Sequence, residues 1–258
     1  MTPTHLAVVR RPGPDLADGL TTFIERVAVD LPEAVAQHAG YTALLERLGC
    51  EVLTLPPAPG LPDAVFVEDV AVVVDDLAVV TRPGDERRRP ETSLIEPALK
   101  TVVARVVALP PPARLDGGDV IVTADTVYVG RTARTDGAGV AALREALAPT
   151  GRAVVPVAVA GCLHLKTGLS ALPDGRFLGV RRWVDTAVLG DRTLLEPLEP
   201  AGADVLTVGD QLVLSASAPR TADLLRAEGY QVHTVDVGQF ERLEAGVTCL
   251  SIVMPRRG

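Results

Sequence analysis

Apolar residues recur with helical spacing in several segments of the chain, and each of these segments is followed by a short apolar run. The helical segments are EAVAQHAGYTALLERLG (33–49), SLIEPALK (93–100), GAGVAALREALAP (137–149) and PRTADLLRAEG (219–229), with a weaker one around 185–195. The runs that follow predict strands at 51–55, 102–109, 153–159, 203–208 and 231–237. This alternation of helices and strands predicts an α/β fold.

The helix–strand unit returns about every 40–50 residues, which predicts repeats of one supersecondary structure. After each predicted strand come a polar residue or cluster and then one or two further strands. The polar markers are Asp69, Asp116, His164, Asp210 and Cys249. The last unit lacks its final strand, whereas the chain starts with a strand that no helix precedes, HLAVVR (5–10). We predict that this strand completes the last unit and closes a ring of five, which removes exposed sheet edges.

Comparable positions of five units around an axis face the same central space, so the five markers would meet there. This placement bears on Cys249, a lone thiol in the last apolar run EAGVTCLSIVM (244–254). A cysteine in such a run is usually a small core hydrophobe. The ring favours the alternative, in which the thiol meets carboxylates and a histidine from distant parts of the sequence.

Charge and cysteine content narrow the class of protein. The formal charge of −8 and the pI near 5.1 argue against a partner with a phosphate backbone. Three cysteines are an odd and sparse set, which is typical of a reducing compartment rather than of a disulfide framework. The N-terminus shows no signal peptide, and no apolar run approaches the roughly 18 residues of a membrane span. We therefore expect a cytoplasmic protein without membrane contact.

Two acidic motifs are candidates for the central space. FVEDVAVV (66–73) places Glu68 and Asp69 in an apolar stretch, where a buried carboxylate needs a partner or must take up a proton. The alternative is a turn with solvated acids. In LDGGDV (115–120), two glycines permit a tight backbone that aims Asp116 inward, and the alternative is an ordinary hairpin turn.

The segment CLHLKTG (162–168) offers two reactive side chains. If it is a strand, Cys162 and His164 share a face, so Cys162 is a rival nucleophile or half of a metal pair. No other residue nearby has ligand spacing, which favours Cys162 as a packed wall. His164 lies beside glycine, polar residues and a strand start, and the alternative for it is a core or surface histidine.

Two basic loops complete the candidates. RPGDERRRPE (82–91) and RTARTDGAG (131–139) are charged loops after strands, and their arginines either face solvent or bind a carboxylate bidentately. The stretch GAGVAA (137–142) imitates a dinucleotide-binding fingerprint. It fails as one because six residues separate it from the preceding strand and no acid ends the next strand.

Taken in order, DAVFVEDVAVV, TRPG with an arginine-rich loop, LDGGDV, LHLKTG and VTCLS resemble the dimethylarginine dimethylaminohydrolase family. That family lies within the guanidine-modifying superfamily of arginine deiminases and amidinotransferases. The resemblance runs from about His5 to the end of the chain and implies one domain over residues 1–258. It also implies a five-fold pseudosymmetric ββαβ propeller, the pentein fold, closed by pairing of the N- and C-terminal strands.

The resemblance implies a cysteine hydrolase that converts Nω-methylated arginine and water to citrulline and dimethylamine or methylamine. Cys249 would be the nucleophile that forms a covalent thiouronium, His164 the general acid and base, and Asp116 the carboxylate beside them, where some members have glutamate. The family needs no metal or organic cofactor. The acidic pocket, with His164 and Cys249, is nevertheless expected to attract inhibitory zinc.

The resemblance also assigns seven residues to substrate binding. Three acids surround the guanidinium and neighbouring substrate atoms, two arginines hold the α-carboxylate, and two backbone carbonyls receive the α-ammonium. In that order they are Asp63, Glu68 and Asp69; Arg88 and Arg134; and Leu20 and Leu243.

Other functions of the same superfamily stay open at this point. An arginine deiminase has the same centre but usually carries an inserted helical module, and an amidinotransferase is usually longer. Agmatine deiminase has no need of an α-carboxylate clamp, so Arg88 and Arg134 argue against it. A non-catalytic guanidine- or metal-binding protein would keep Cys249, His164 and Asp69 as ligands. The sequence leaves the oligomeric state open, with a homodimer among the alternatives.

Overall fold

Fifteen strands form five three-stranded sheets in the computed structural model, which describes residues 3–256. The strands are β1 His5–Arg10, β2 Cys50–Leu55, β3 Ala71–Val74, β4 Leu77–Val80, β5 Arg105–Ala108, β6 Val120–Val122, β7 Thr126–Arg131, β8 Ala153–Ala158, β9 Leu169–Ala171, β10 Phe177–Gly179, β11 Leu194–Leu195, β12 Leu206–Val208, β13 Gln211–Ser215, β14 Gln231–Val235 and β15 Ser251–Pro255. The α-helices are α1 Leu31–Arg47, α2 Thr92–Val102, α3 Gly137–Leu147, α4 Leu165–Gly168, α5 Pro219–Ala227 and α6 Gly238–Glu241.

All five sheets follow one plan. In the sheet β3-β4-β5, β3 runs antiparallel to β4, and β4 runs parallel to β5. A parallel pair needs a crossover connection, which α2 supplies here. The sheets β6-β7-β8, β9-β10-β11 and β12-β13-β14 repeat the same order of one antiparallel and one parallel pair.

The fifth sheet joins the two ends of the chain. β1 pairs antiparallel with β15, from His5 opposite Pro255 to Val9 opposite Ser251, and parallel with β2 after the crossover through α1. The predicted pairing of the N- and C-terminal strands is therefore confirmed. The coarse α/β class is also confirmed, because helices and strands alternate along the whole described chain.

The unit between residues 164 and 210 differs from the sequence-based prediction. The helix predicted around 185–195 is replaced by a 3-10 turn, Thr186–Leu189, which ends at Gly190 with φ +59°. The predicted strand 203–208 is not the last strand of this unit. Its residues Leu206–Val208 open the next sheet, and the unit closes instead with the two-residue strand Leu194–Leu195.

That shift changes one of the polar markers. Asp210 lies in the exposed turn between β12 and β13, so it was the wrong marker. Asp204 stands two residues before β12, as Asp69 stands two residues before β3 and Cys249 two residues before β15. Asp204 is therefore the residue of this unit that corresponds to Asp69 and Cys249.

Helix ends and one buried hydroxyl fix the scaffold near the last sheet. Asp30 caps α1 by accepting from the backbone N–H of Glu33, which satisfies one of the free amides at the helix start. Within α1, the buried Tyr41 hydroxyl donates to the Val247 carbonyl at 2.8 Å and lies 2.7 Å from Ser251 Oγ. The helix thereby holds both sides of the turn that carries Cys249. Within residues 3–256, no helix combines the length and apolarity that a membrane crossing requires.

Candidate active site

The segments before β3, β9 and β15 and the segments after β1, β4 and β7 meet at one cavity. Eight of the ten predicted site residues line it, namely Leu20, Asp63, Asp69, Arg88, Arg134, His164, Leu243 and Cys249. The other two predicted residues lie directly behind the lining. Asp116 contacts His164, and Glu68 contacts the Thr248 hydroxyl beside Cys249. The structure thus brings together side chains from all parts of the sequence that the motifs singled out.

The imidazole of His164 lies between two carboxylates. Its Nε2 is 3.0 Å from Asp116 Oδ2, and its Nδ1 is 3.7 Å from Asp69 Oδ1. Burial of the ring disfavours its charged form, but Asp69, Asp116 and the nearby Asp119 outweigh that penalty and raise the pKa of His164 to about 9. His164 therefore carries a proton at neutral pH, as a general acid must.

The two glycines of LDGGDV are required by close packing at this point. A Cβ at Gly117 would lie 2.0 Å from the Glu68 carbonyl oxygen, and one at Gly118 would lie 2.7 Å from both Asp69 Oδ1 and His164 Nδ1. The Gly118 N–H also donates to Asp69 Oδ1 at 3.0 Å. The expected inward aim of Asp116 is observed, but its cause is the approach of three chain segments and not a special backbone angle.

The second acid of LDGGDV, Asp119, supports the histidine from behind. Its carboxylate accepts from the Leu165 N–H at 2.9 Å and from the hydroxyls of Thr132 and Thr135 at 2.7 and 2.6 Å. Burial raises the pKa of Asp119 to about 6. Because Leu165 follows His164 directly, these contacts fix the backbone from which the imidazole projects.

Arg88 is more fully engaged inside the protein than the sequence suggested. Its Nε and Nη2 donate to the Glu91 carboxylate at 3.0 and 2.8 Å, and Nη1 donates to Asp69 Oδ2. Nη2 also donates to the backbone carbonyls of Asp63 and Phe66, each at 3.1 Å. A guanidinium has five N–H donors, so only part of one nitrogen remains for a ligand.

Arg134 keeps most of its donors free, in contrast to Arg88. The single ion pair described for its guanidinium joins Nη1 to Asp116 Oδ2 at 3.5 Å. Its side chain is 11% exposed and lines the cavity. The two predicted carboxylate-binding arginines therefore differ, and Arg134 is the one poised to meet a ligand.

The floor behind Cys249 holds a chain of polar groups. Lys166 Nζ donates to Glu68 Oε1 at 2.6 Å, and the Thr248 hydroxyl lies 2.9 Å from Glu68 Oε2. The same hydroxyl lies 3.0 Å from Asp204 Oδ2, while the Thr248 N–H donates to Asp204 Oδ1 at 3.0 Å. Glu68 thus faces this chain and not the cavity lining, which differs from its expected place around the guanidinium.

The two cysteines near the site have different surroundings. Cys249 is partly exposed and lines the cavity, whereas Cys162 is buried and its thiol donates to the His164 carbonyl at 3.4 Å. Burial and the carboxylates of Glu68, Asp204 and Asp69 raise the pKa of the Cys249 thiol. Burial, with Asp119 adding to it, raises the pKa of Cys162 to about 12. Cys162 is therefore a packing residue behind the site, and Cys249 is the thiol that a ligand in this cavity can reach.

One edge of the cavity is formed by the segments that follow Leu20 and Leu243, and the carboxylate of Glu244 holds these two segments together. Leu20 and Leu243 both line the cavity, and the Leu20 N–H donates to Asp63 Oδ1 at 3.0 Å. Glu244 adopts φ +60° and accepts from the N–H groups of Thr22, at 2.6 Å, and of Phe23 and Ile24. The segment after Leu20 is thereby held against the segment after Leu243.

Three ionisable groups at the centre are close enough to share a cation. The ligand atoms of Asp69, Asp116 and His164 lie within 4.8 Å of one another, and within residues 3–256 no other such group is found. Cys249 is not part of this group, although the sequence suggested that it would help to hold zinc. Inhibition by zinc stays a prediction.

Motif-based reasoning missed several polar residues of the site. Glu91, Lys166 and Thr248 contact predicted residues, and Asp204 contacts Thr248. Lys166 and Thr248 lie inside quoted motifs, so their position beside His164 and Cys249 was available as a signal. Asp204 could have been found from its place two residues before a first strand. Glu91 closes the quoted loop RPGDERRRPE (82–91) and lies three residues after Arg88, a spacing that allows an ion pair in a helical turn.

Comparison with known proteins gives a consistent result. No family model matches the chain. The chain is 46% identical over 250 residues to the N(G),N(G)-dimethylarginine dimethylaminohydrolase of Streptomyces coelicolor, with 97% of each chain covered. It superposes with TM-score 0.93, at 30% identity, on a dimethylarginine dimethylaminohydrolase in which a histidine-to-glycine variant forms an adduct with S-methyl-L-thiocitrulline. It superposes with TM-score 0.91, at 29% identity, on a cysteine-to-serine variant of the Pseudomonas aeruginosa enzyme complexed with citrulline. Both superpositions cover 98% of this chain and 100% of the other.

Proposed function

The chain belongs to the dimethylarginine dimethylaminohydrolase family, and on that premise we propose that it hydrolyses Nω-methylated arginine to citrulline and dimethylamine or methylamine. The observation that carries the proposal is the protonated His164, held between Asp69 and Asp116 in the cavity that Cys249 lines. Displacement of an amine through a covalent intermediate requires at least a nucleophile and a general acid, and this cavity brings both together.

The acidic cavity suits a guanidinium. The guanidinium carbon is a poor electrophile because resonance spreads its charge, so the protein must hold the cation while a thiolate attacks. Burial would by itself raise the pKa of Asp69, but His164 and Arg88 outweigh that effect and lower it to about 2. Asp69 is therefore ionised and offers its Oδ1 side toward His164 and the bound cation.

The reaction then proceeds in two halves. The Cys249 thiolate attacks the central carbon, and a carbon–sulfur bond forms. His164 donates its proton to the departing dimethylamine or methylamine, whose carbon–nitrogen bond breaks, and a thiouronium remains on Cys249. His164 next accepts a proton from water, and the hydroxide adds to the same carbon. The carbon–sulfur bond then breaks to restore the thiolate, and the proton of the added hydroxyl leaves to solvent as the carbonyl of citrulline forms.

The amino-acid end of the substrate faces the other residues of the lining. Arg134 supplies free guanidinium donors for the α-carboxylate, and its planar fork matches that group bidentately. Leu20 and Leu243, whose carbonyls the family resemblance assigns to the α-ammonium, line the same cavity, and Asp63 lies beside Leu20. Burial raises the pKa of Asp63, and the opposing positive charge of Arg88 limits that rise.

The fold that presents this site is a closed five-fold propeller in a single domain over residues 1–258. Five sheets of one plan and the pairing of β1 with β15 support this proposal. A cavity on the axis supports it further, because the first strand of every sheet contributes to its walls. Representative wall residues are Val72, Ile121, Ala171, Leu206 and Ile252.

The test is a comparison of products from dimethylarginine, monomethylarginine and free arginine. We expect citrulline with a stoichiometric amine from the methylated substrates, and predominant ammonia from arginine would instead indicate a deiminase. Cys249→Ser should lower turnover by more than roughly a thousandfold with the fold intact. Cys162→Ser is the matched control, because its sulfur lies outside the proposed chemistry. Citrulline formation that survives Cys249→Ser would overturn the assignment.

A further inference from the structure

One hydroxyl on the floor of the site serves two buried carboxylates. Thr248 Oγ1 lies 2.9 Å from Glu68 Oε2 and 3.0 Å from Asp204 Oδ2, both ordinary hydrogen-bond distances. A hydroxyl carries one hydrogen, so it donates to one acceptor at a time. If both acids were ionised, the hydroxyl could donate its hydrogen to only one of them, and the oxygen of the other acid would lie against the threonine oxygen with no hydrogen between them. A proton on one of the acids removes this conflict.

The partners of the two acids decide which one holds the proton. Glu68 is paired with the Lys166 ammonium at 2.6 Å and therefore has a reason to stay ionised. No cation of residues 3–256 forms a salt bridge with Asp204, whose contacts are the N–H and hydroxyl of Thr248. Asp204 is 7% exposed. A buried carboxyl without a cation takes up a proton in preference to carrying a charge.

We propose that Asp204 is a positioning residue whose carboxyl group is protonated in the active protein. Its O–H donates a hydrogen bond to Thr248 Oγ1, and the Thr248 hydroxyl in turn donates a hydrogen bond to Glu68. The arrangement places one negative charge below Cys249 instead of two. It also orients the turn that carries the thiol, because Asp204 Oδ1 accepts from the Thr248 N–H at 3.0 Å. This inference rests on the proposed function for its catalytic meaning, but the protonation itself is a property of the free protein.

Packing around the turn supports a fixed place for Asp204. A Cβ at Gly246 would lie 2.4 Å from the Asp204 carboxyl carbon, so residue 246 has no room for a side chain. Asp204 also stands two residues before β12, the position that Asp69 and Cys249 occupy before β3 and β15. The fold therefore directs a third polar side chain to the same end of the sheets.

The charges that face Asp204 give the direction of its pH dependence. Glu68 and Cys249 face it from neighbouring segments, Lys166 lies beyond Glu68, and Tyr41 reaches the same turn from α1. Burial raises the pKa of Asp204 to about 7, and the charge of Glu68 adds to that rise. As the pH rises through this value, Asp204 loses its proton and a second negative charge appears beside Cys249. The thiolate of Cys249 then becomes harder to form.

Two measurements on the ligand-free protein test the inference. The first is the infrared band of protonated carboxylic acids, compared between wild type and Asp204→Asn. The second is the rate at which iodoacetamide alkylates Cys249, followed by mass spectrometry from pH 6 to pH 9. The Asp204→Asn amide can donate to Thr248 Oγ1 and accept from the Thr248 N–H, so it mimics the protonated acid. Asp210→Asn, in the exposed turn of the same sheet, is the matched control.

We expect a carboxylic-acid band that is present at pH 6, fades as the pH rises through about 7, and is missing in Asp204→Asn. Burial also raises the pKa of Glu91 to about 7 and that of Asp119 to about 6, but these acids absorb in both proteins and cancel in the difference between wild type and variant. The alkylation rate of Asp204→Asn relative to wild type should rise by roughly three- to tenfold between pH 6 and pH 9. That factor corresponds to half to one unit in the pKa of Cys249. A flat ratio, or an infrared spectrum that Asp204→Asn leaves unchanged, would overturn the inference.

A second variant covers the case in which Asp204→Asn does not fold. Thr248→Ala removes the hydroxyl that accepts the hydrogen bond from the Asp204 carboxyl group, so the carboxylic-acid band of Asp204 should shift in frequency. An unshifted band would overturn the inference. Neither measurement requires turnover. If the expected band and ratio are observed but no citrulline forms, the proposed function alone is rejected. If citrulline forms but the band and ratio are missing, the role of Asp204 alone is rejected.

Discussion

The imidazole of His164 is hydrogen-bonded through Nε2 to Asp116 Oδ2 at 3.0 Å, while its Nδ1 lies 3.7 Å from Asp69 Oδ1. Both contacts favour the imidazolium, so the ring is charged over most of the accessible pH range. A group whose folded pKa, here about 9, exceeds its unfolded value of about 6.5 stabilises the fold fully below the unfolded value. That contribution is lost as the pH rises through about 9.

Asp116→Asn should therefore lower the pKa of His164. The change replaces the charged acceptor of the Nε2 hydrogen bond by a neutral amide, although Asp69 and Asp119 continue to favour the imidazolium. We expect the alkaline limb of kcat/KM to move down by about one pH unit or more. The titration of the His164 ring by NMR measures the same shift without substrate. An unchanged ring titration would show that Asp116 does not hold the proton on His164.

Arg88→Ala and Arg134→Ala should have different effects, although the family resemblance assigns both to one role. Removing Arg88 leaves the buried Glu91 without its cation and leaves Asp69 with His164 alone, which should destabilise the fold by roughly 3–5 kcal/mol. Removing Arg134 breaks one ion pair of 3.5 Å and should mainly raise KM, by about ten- to a hundredfold.

The measurements for the arginines are urea unfolding and steady-state kinetics on substrates with and without an α-carboxylate. Arg87→Ala is the control for charge, because Arg87 is adjacent in sequence and 72% exposed. A substrate that lacks the carboxylate should be nearly insensitive to Arg134→Ala. Equal loss for both substrates would assign Arg134 another role.

Much of the fold was predictable because its helices and strands follow their apolar spacing. The prediction failed at residues 185–195, where a short 3-10 turn replaces a helix, and this error moved the next strand into the wrong unit. The repeat then placed its marker at Asp210 instead of Asp204. The error stayed within this unit, because the helix and strand that follow, α5 and β14, were predicted from their own apolar spacing.

The candidate site was predictable to the extent that its residues lie in motifs. Many of its connections were not, because they join groups that lie far apart in sequence, such as Lys166 with Glu68. Glu244 binds the N–H groups of residues 22–24, more than 200 positions earlier, and no spacing in the sequence reports such a contact. The engagement of Arg88 by Glu91 depends on the geometry of a 3-10 turn, Glu86–Glu91.

Glu244→Gln should loosen the edge of the cavity. The carboxylate accepts from three backbone N–H groups, and bonds to a charged acceptor are stronger than those to an amide oxygen. We expect faster hydrogen exchange at residues 22–24 and a higher KM, with a smaller change in kcat. Glu241→Gln is the matched control, since Glu241 bonds to Ser217 outside this contact. Unchanged exchange at residues 22–24 would show that other contacts hold the segment.

The protonation of Cys249 provides the last prediction. Burial and the negative charges of Glu68 and Asp69, joined by Asp204 once it ionises, raise the pKa of its thiol, so the free protein should hold a mostly neutral sulfur. A bound guanidinium brings a positive charge close to the sulfur and reverses that field, so that the substrate itself would draw out the thiolate. The ultraviolet absorbance of the thiolate, followed against pH with and without a non-reactive guanidinium ligand, measures this directly. The ligand should move the titration to lower pH, and Asp69→Asn should raise the reactivity toward simple thiol reagents, because it removes one of the opposing charges. A free thiol that already titrates well below about 8.5, with no response to the ligand, would instead indicate a resting Cys249–His164 ion pair.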